Sequence, residues 1–398
     1  MSDNGLVTSQ INKVMKALHP GLSIDTKQHD IFIPYYVAND VNDLFICLTT
    51  RQLLSACKYS FVLTIDCTYK ITTNELPLLV FGTSNCNHRF YPMGICLIST
   101  DQSADTFRTL FRGIQQSAVN NQAYTISHVV ADGSPGLTSA MSEISLARRL
   151  MYWFHMIRKC REHRKLIKNK NKWLLVEKDI FNAQLIFDDQ ILAIVTRFIM
   201  GIIGTVLIYE RAVSLAPSTN NELESLNGRI KKDYTLRNRR PLSAFLKTAE
   251  RMLIDWSTDS EKKPFQLHAT YKNHLKLAAY TWLQQVDETQ ILQVNPNVYV
   301  VLSKNENMST TIWVQQFYAV AWSSYDEFSN WLNSARLVNC SRLLPPLFCT
   351  CQTSLKESTC VHALGLLMLW GSQSMPQLIG KRKGKGRPKK VKLPLSKD

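Results

Sequence analysis

The chain has 398 residues, enough for two or three domains with cores of their own, and its 45% hydrophobic and 20% charged composition is that of a globular protein. A formal net charge of +16 argues against an acid-rich solvating chain and for a polyanionic partner, with nucleic acid favoured over a membrane surface. Half of that charge lies in residues 381–398, where nine basic side chains face one acid, and half is spread over the body.

The N-terminal Met1-Ser2-Asp3-Asn4-Gly5 lacks the apolar region of a signal peptide. The most apolar stretch, residues 198–209, counts 12 residues between Arg197 and Glu210. That is short of the roughly 20 that span a bilayer, so it reads as a buried helix and no membrane partner is expected. Cys47, Cys57, Cys67, Cys86, Cys96 and Cys160 are scattered through apolar segments, as small buried hydrophobes in a reducing compartment would be.

In chain order, residues 1–50 form an N-terminal segment that turns apolar at Ile31-Phe32-Ile33, and residues 50–58 suit a short helix. Residues 61–71 are rich in β-branched and aromatic side chains and predict a central strand with Asp66 inside it. A carboxylate there is costly unless it is paired or bound to metal. Residues 76–81 and 91–98 predict two more strands, with Asn74-Glu75 as a turn. In residues 105–114, Phe107, Leu110, Phe111 and Ile114 fall on one helical face. Residues 126–131 form a short strand that stops at Asp132-Gly133, with a helix over 137–144 to follow. Strand ends are where sites form in α/β sheets, although a turn or helix-cap aspartate would look the same.

Residues 150–154 predict another strand, leading into a basic helix over 155–165. An apolar helical stretch from about 165 to 215 reads as an insertion. Ser218, Thr219 or Asn220 would cap the helix that follows, on which Glu224, Asn227 and Lys231 share a face at i, i+3 and i+7. Arg229, Lys231, Lys232, Arg237, Arg239 and Arg240 make a basic strip suited to phosphate contact. Residues 258–264 read as a linker. Beyond it the pattern predicts a helix over 270–285, strands over 298–302 and 312–322, and a helix over 325–334.

Three carboxylates from separate elements, Asp66, Asp132 and Glu224, could hold two divalent cations of the kind that activate a hydroxyl and steady a leaving phosphodiester oxygen. The pieces Thr64-Ile65-Asp66-Cys67-Thr68-Tyr69-Lys70, Val130-Ala131-Asp132-Gly133-Ser134-Pro135-Gly136-Leu137, Trp153-Phe154-His155-Met156 and Thr219-Asn220-Asn221 to Glu224-Ser225-Leu226-Asn227, with Lys231, resemble the transposases of Mutator-like elements. They occur in the family's order over about residues 55–235. The resemblance implies an α/β, RNase H-like mixed sheet with a helical insertion over residues 51–255. It also implies an Asp66, Asp132 and Glu224 site for Mg²⁺- or Mn²⁺-dependent cleavage and joining of DNA. Glu224 is preferred to Glu222 because it heads the Glu-Ser-Leu-Asn piece, and Asp188 and Asp189 are weaker candidates. His155, Asn227 and Lys231 are the expected DNA contacts beside the acids. The family has a cysteine three residues before its histidine, where this chain has Tyr152. That departure favours the alternative of a domesticated, non-cutting nuclear regulator.

Cys349 and Cys351, then Cys360 and His362, supply four ligands suited to tetrahedral zinc, ahead of an apolar helix over 363–370. The pattern resembles a SWIM zinc finger, implying a small α+β module over residues 265–372 with a structural Zn²⁺. The tail, residues 378–398, is low-complexity and basic, and reads as disordered. Around Gly386-Arg387-Pro388 it resembles an AT-hook, with Arg387, Lys389 and Lys390 suited to the narrow minor groove of A·T tracts. The same residues would serve as a nuclear localisation signal. The expected partners are DNA and a second copy of the chain.

Overall fold

The computed structural model describes residues 27–376 except 39–42, 86, 88, 100–102, 117–123, 145, 152–157, 159–160, 184–220, 268–269, 297, 303–309, 320–321, 340–347, 352 and 355–358. His155, the candidate caps at 218–220, Asp188, Asp189, the apolar run 198–209 and the basic tail therefore lie outside the described residues.

Short runs of aliphatic and aromatic residues give β1 (Ile31–Phe32), β2 (Tyr36–Ala38) and β3 (Leu44–Thr50). All seven residues of β3 are buried, the signature of a strand covered on both faces. The Thr50 side chain then caps α1 (Arg51–Leu54) by accepting from the Leu53 N–H. There follow β4 (Val62–Thr68), β5 (Leu78–Ser84), β6 (Phe90–Ile98), α2 (Ala104–Gln116), β7 (His128–Ala131), α3 (Pro135–Ala140) and β8 (Arg148–Met151). They form one mixed sheet in the order β1-β3-β6-β5-β4-β7-β8, with β2 also on β3. Pairing is antiparallel from β1 to β4 and parallel from β4 to β7 and β8. The sheet begins at Ile31, earlier than the expected boundary at 51, because β3 pairs with β6 through the heart of the core.

Helices cover both faces. On one, Phe107, Leu110, Phe111 and Ile114 of α2 and Leu137 and Ala140 of α3 pack with Leu63, Ile65 and Phe81. After α4 (Lys170–Ala183), the other face is covered by α5 (Asn221–Arg229), a π-helical turn (Ile230–Tyr234) and α6 (Leu242–Lys262). Leu223, Leu226 and Ile230 pack with Leu242, Phe245, Leu246, Ala249, Met252 and Leu253 against Leu78, Val80 and Ile95. Ser257 at the far end of α6 is fully buried and bonds His29 Nδ1 at 2.8 Å and Thr50 Oγ1 at 2.9 Å. This anchor explains why residues 258–262 are helical where a linker was expected: Trp256 and Ser257 dock the last turns, and Asp259 pairs with Lys263 at i,i+4.

The second module has α7 (Asn273–Leu283), β9 (Ile291–Asn295), β10 (Val298–Leu302), α8 (Thr310–Ala319), α9 (Tyr325–Ser334), β11 (Ala335–Asn339), β12 (Phe348–Cys349) and α10 (Val361–Leu369). Its antiparallel sheet runs β12-β11-β10-β9. The strand expected over 312–322 is helical through Ala319. Helical spacing puts Trp313 and Phe317 on one face, where the Trp313 and Trp331 rings stack at 4.4 Å. Each indole N–H donates to the other residue's carbonyl at 3.1 Å.

Gly94 in β6 marks a close approach of strands: a Cβ there would lie 2.8 Å from the Leu48 carbonyl oxygen and 2.6 Å from the Phe81 ring. Gly94→Ala is therefore expected to destabilise the sheet by about 2 kcal/mol, as overpacking does, read as a lower midpoint in urea unfolding.

Candidate active site and metal centre

The parallel pair β4 and β7 has Thr64 opposite Val130. Two residues on in each strand come Asp66 and Asp132, so both acids reach the same carboxyl end of the sheet. Asp66 is still within β4, its backbone opposite Val80, and it is half-buried. One of its oxygens accepts from the Cys67 N–H at 2.9 Å, and the other from the Asn227 amide at 2.8 Å. Asp132 lies just past β7, and its carboxylate accepts from the Ser134 N–H at 3.3 Å. It thus also makes the turn contact that an ordinary loop aspartate would make.

Glu224 is exposed on α5, between core-facing Leu223 and Leu226. Its charge and that of Asp132 both act on Asp66, so the structure brings the three acids into one electrostatic neighbourhood. Burial first, then the Asp132 and Glu224 charges, push the Asp66 carboxyl up to about 7, against the hydrogen bonds from Cys67 and Asn227. Asn227 is 8% exposed, and its amide addresses Asp66. Its Oδ1 is buried with no hydrogen-bond partner among the described residues. Lys231 is half-buried within the π-helical turn, so regular α spacing from Glu224 ends at Arg229.

Two neighbours escaped the sequence reading. Arg149, on β8, donates to the Asp132 carbonyl oxygen at 2.6 Å and ties the loop that carries the second acid. Nothing in its local sequence signals this; it follows from the β7–β8 register, in which Ala131 lies opposite Met151. Tyr69 has its phenol pushed up to about 12, by burial and then by Cys67, Asp132 and Asp66. Its place in the Asp-Cys-Thr-Tyr-Lys run was the available signal.

At the other end of the chain, one ligand atom from each of Cys349, Cys351, Cys360 and His362 lies within 4.8 Å of the others, so this cluster could hold a metal ion. Cys349 ends β12, with Val338 of β11 opposite it. Cys360 caps α10, its sulfur accepting from the Ala363 N–H at 3.4 Å, and His362 sits in the first turn. His362 Nδ1 is 3.7 Å from both Cys349 Sγ and Cys360 Sγ. Hydrogen bonds from the Cys349 and Cys360 thiols, above all, hold the Cys351 thiol well below its ordinary range. Burial pushes that of Cys349 well above. The cluster therefore favours a thiolate at Cys351, and thiolate is the form that ligates metal. The Trp282 ring stands edge-on to the His362 ring at 5.2 Å. Gly365 makes room for it, since a Cβ there would fall 2.4 Å from Trp282.

Two expectations follow. An unfolded aspartate titrates near 3.9, whereas Asp66 in the fold titrates at about 7. The folded state therefore keeps a proton that the unfolded chain has lost between those pH values, and stability falls as pH rises through that window. In EDTA, Asp66→Asn should flatten this slope and stabilise the protein at pH 8 by about 2 kcal/mol, with little gain at pH 4; thermal melts across pH check it. Gly365→Ala should displace Trp282 from His362 and lower the cluster's affinity for a metal ion at least about 10-fold, as loss of an orienting neighbour does; chelator competition reads this, and unchanged affinity would release Trp282 from that role.

No helix among the described residues is long and apolar enough to cross a membrane. No curated protein matches the chain, and no solved structure does. Residues 62–159 match the family model of the MULE transposase domain. That span includes Asp66, Asp132 and His155 and stops short of Glu224. That stretch of the chain is thus similar to a MULE transposase domain.

Proposed function

We propose that the chain cuts and joins DNA strands with divalent metal, using Asp66, Asp132 and Glu224 as the ligating acids. The observation that carries this reading is the half-buried Asp66, held by Asn227 and within the electrostatic reach of Asp132 and Glu224. Besides burial, the groups that raise its pKa are two other acids, and the groups that lower it are a backbone N–H and an amide. Such a set of hard oxygens, with no basic partner at Asp66 among the described residues, suits Mg²⁺ or Mn²⁺. When bound, these cations would lower the pKa of an attacking water or 3′-hydroxyl and stabilise the leaving oxygen of the phosphodiester.

The chain's own groups then have defined tasks. Asn227 orients the Asp66 carboxylate, and Arg149 steadies the Asp132 loop. Lys231, Lys232, Arg229 and Arg237 would bear on the phosphates, and His155 on the scissile strand. The order β6-β5-β4-β7-β8, antiparallel before β4 and parallel after it, supports an RNase H-like sheet. The donor set Cys349, Cys351, Cys360 and His362, closed and soft, suits structural Zn²⁺ and a SWIM-type finger. Arg387, Lys389 and Lys390 are proposed to hold A·T-rich DNA and to direct the protein to the nucleus.

Tyr152, where the family has cysteine, favours a second reading, a DNA-binding regulator that does not cut. One assay separates the two. The wild type should nick plasmid DNA with Mg²⁺ or Mn²⁺, and Asp66→Asn, Asp132→Asn or Glu224→Gln should each reduce nicking to background while binding persists. Equal DNA binding by all four proteins with no cutting by any would leave the regulator.

A further inference from the structure

The loop that follows the π-helical turn is built against the preferences of its residues. Leu236 and Arg237 both take left-handed backbone conformations, with φ of 52° and 60°. Glycine, or at need asparagine, normally fills such positions after a helix, because a Cβ crowds the following carbonyl. Leu236 gains nothing from burial in return, since 64% of it is exposed.

The loop is nonetheless tightly tied. The Arg237 N–H donates to the Lys231 carbonyl at 2.6 Å, and the Asn238 N–H to that of Thr235 at 3.0 Å. The Arg240 N–H donates to the Ile71 carbonyl, and the Thr73 N–H to that of Arg240, both at 2.9 Å. Arg239 also pairs with Glu75. The second strand of this stitch leaves β4 just past Asp66 and contains Lys70, itself at a φ of 65°. One exposed leucine is therefore held on a loop stitched to the segment that follows β4, the strand that bears Asp66. Lys232 and Arg237 near it in the chain are exposed and basic, as is Lys70 on the stitched segment, and they outnumber the exposed Asp233.

We infer that Leu236 is a wedge for duplex DNA: its side chain enters between adjacent base pairs and unstacks them next to the strand to be cut. The inference rests on the DNA reading above and extends it. The surrounding positive charge selects a polyanion as occupant, and an apolar side chain on a basic mount is what opens a base step. Strain persists where the surrounding structure over-determines it, and the four backbone bonds do so here.

The test uses the full chain, Ca²⁺ in place of Mg²⁺ to keep strands intact, and a short duplex with 2-aminopurine at a central TA step, which unstacks readily. Binding is followed by anisotropy and unstacking by 2-aminopurine fluorescence. The wild type should raise the fluorescence severalfold on binding. Leu236→Gly, which relieves the left-handed strain and so should melt no lower than wild type, should bind with similar affinity and raise it little. Leu236→Met should retain the rise. A rise with Leu236→Gly equal to wild type overturns the wedge, as does bound wild type with no rise. If Leu236→Gly instead leaves the rise intact and lowers the sedimenting mass of the DNA-free protein, the leucine serves a second copy and the wedge is wrong. Wild type that nicks plasmid without unstacking sinks the wedge alone, whereas wild type that binds no duplex sinks the DNA reading with it.

Discussion

Because β4 and β7 run parallel with Thr64 opposite Val130, Asp66 and Asp132 leave the sheet side by side. A slip of one residue in this pairing would turn every β7 side chain to the other face and take Asp132 out of step with Asp66. The register is held by burial on both sides. Leu63, Ile65 and Val129 face α2 and α3, while Leu78 and Val80 of the neighbouring strand face α5 and α6. The candidate active site is thus a by-product of a sheet whose alignment is set by its apolar neighbours.

Asn227 joins core and site. Its helix is pinned by Leu223, Leu226 and Ile230, which fixes the amide over Asp66 to within a hydrogen bond. Precision of this kind needs a rigid element beneath it, and α5 is clamped in turn by α6, whose far end is held by Ser257, Thr50 and His29. The Cys/His cluster is built on the same logic at smaller scale. A strand end and a helix cap bring the ligands together, and an indole beside His362 occupies the space that Gly365 leaves.

Much of this was legible in the sequence. Strand runs that hold or end at a carboxylate announced β4 and β7, and helical spacing announced α2 because one of its faces is apolar. The four metal-type ligands were legible because their spacing is short and local. Residues 312–319 misled because Ile, Trp, Val, Phe and Tyr favour strands, whereas the helix stacks Trp313 and Phe317 on the distant Trp331. Residues 258–262 misled because polar composition cannot reveal a buried Ser257. The Arg149 contact and the left-handed backbone at Leu236 were invisible for the same reason: they depend on register and backbone torsion, which composition does not encode.

The covering of the sheet has a practical consequence for anyone who divides the gene. The segment that matches the family model, residues 62–159, holds only part of the sheet and its covering. One face of its strands is closed by Leu223, Leu226, Phe245 and Met252, and an inner strand, β6, takes its hydrogen bonds on one side from β3 at residues 44–50. A polypeptide cut at the signature's edges would bare a flat apolar face and an open strand edge, the two surfaces on which chains most readily aggregate. The inheritable signature and the physical domain have different borders, and the physical one runs at least from Ile31 to Lys262.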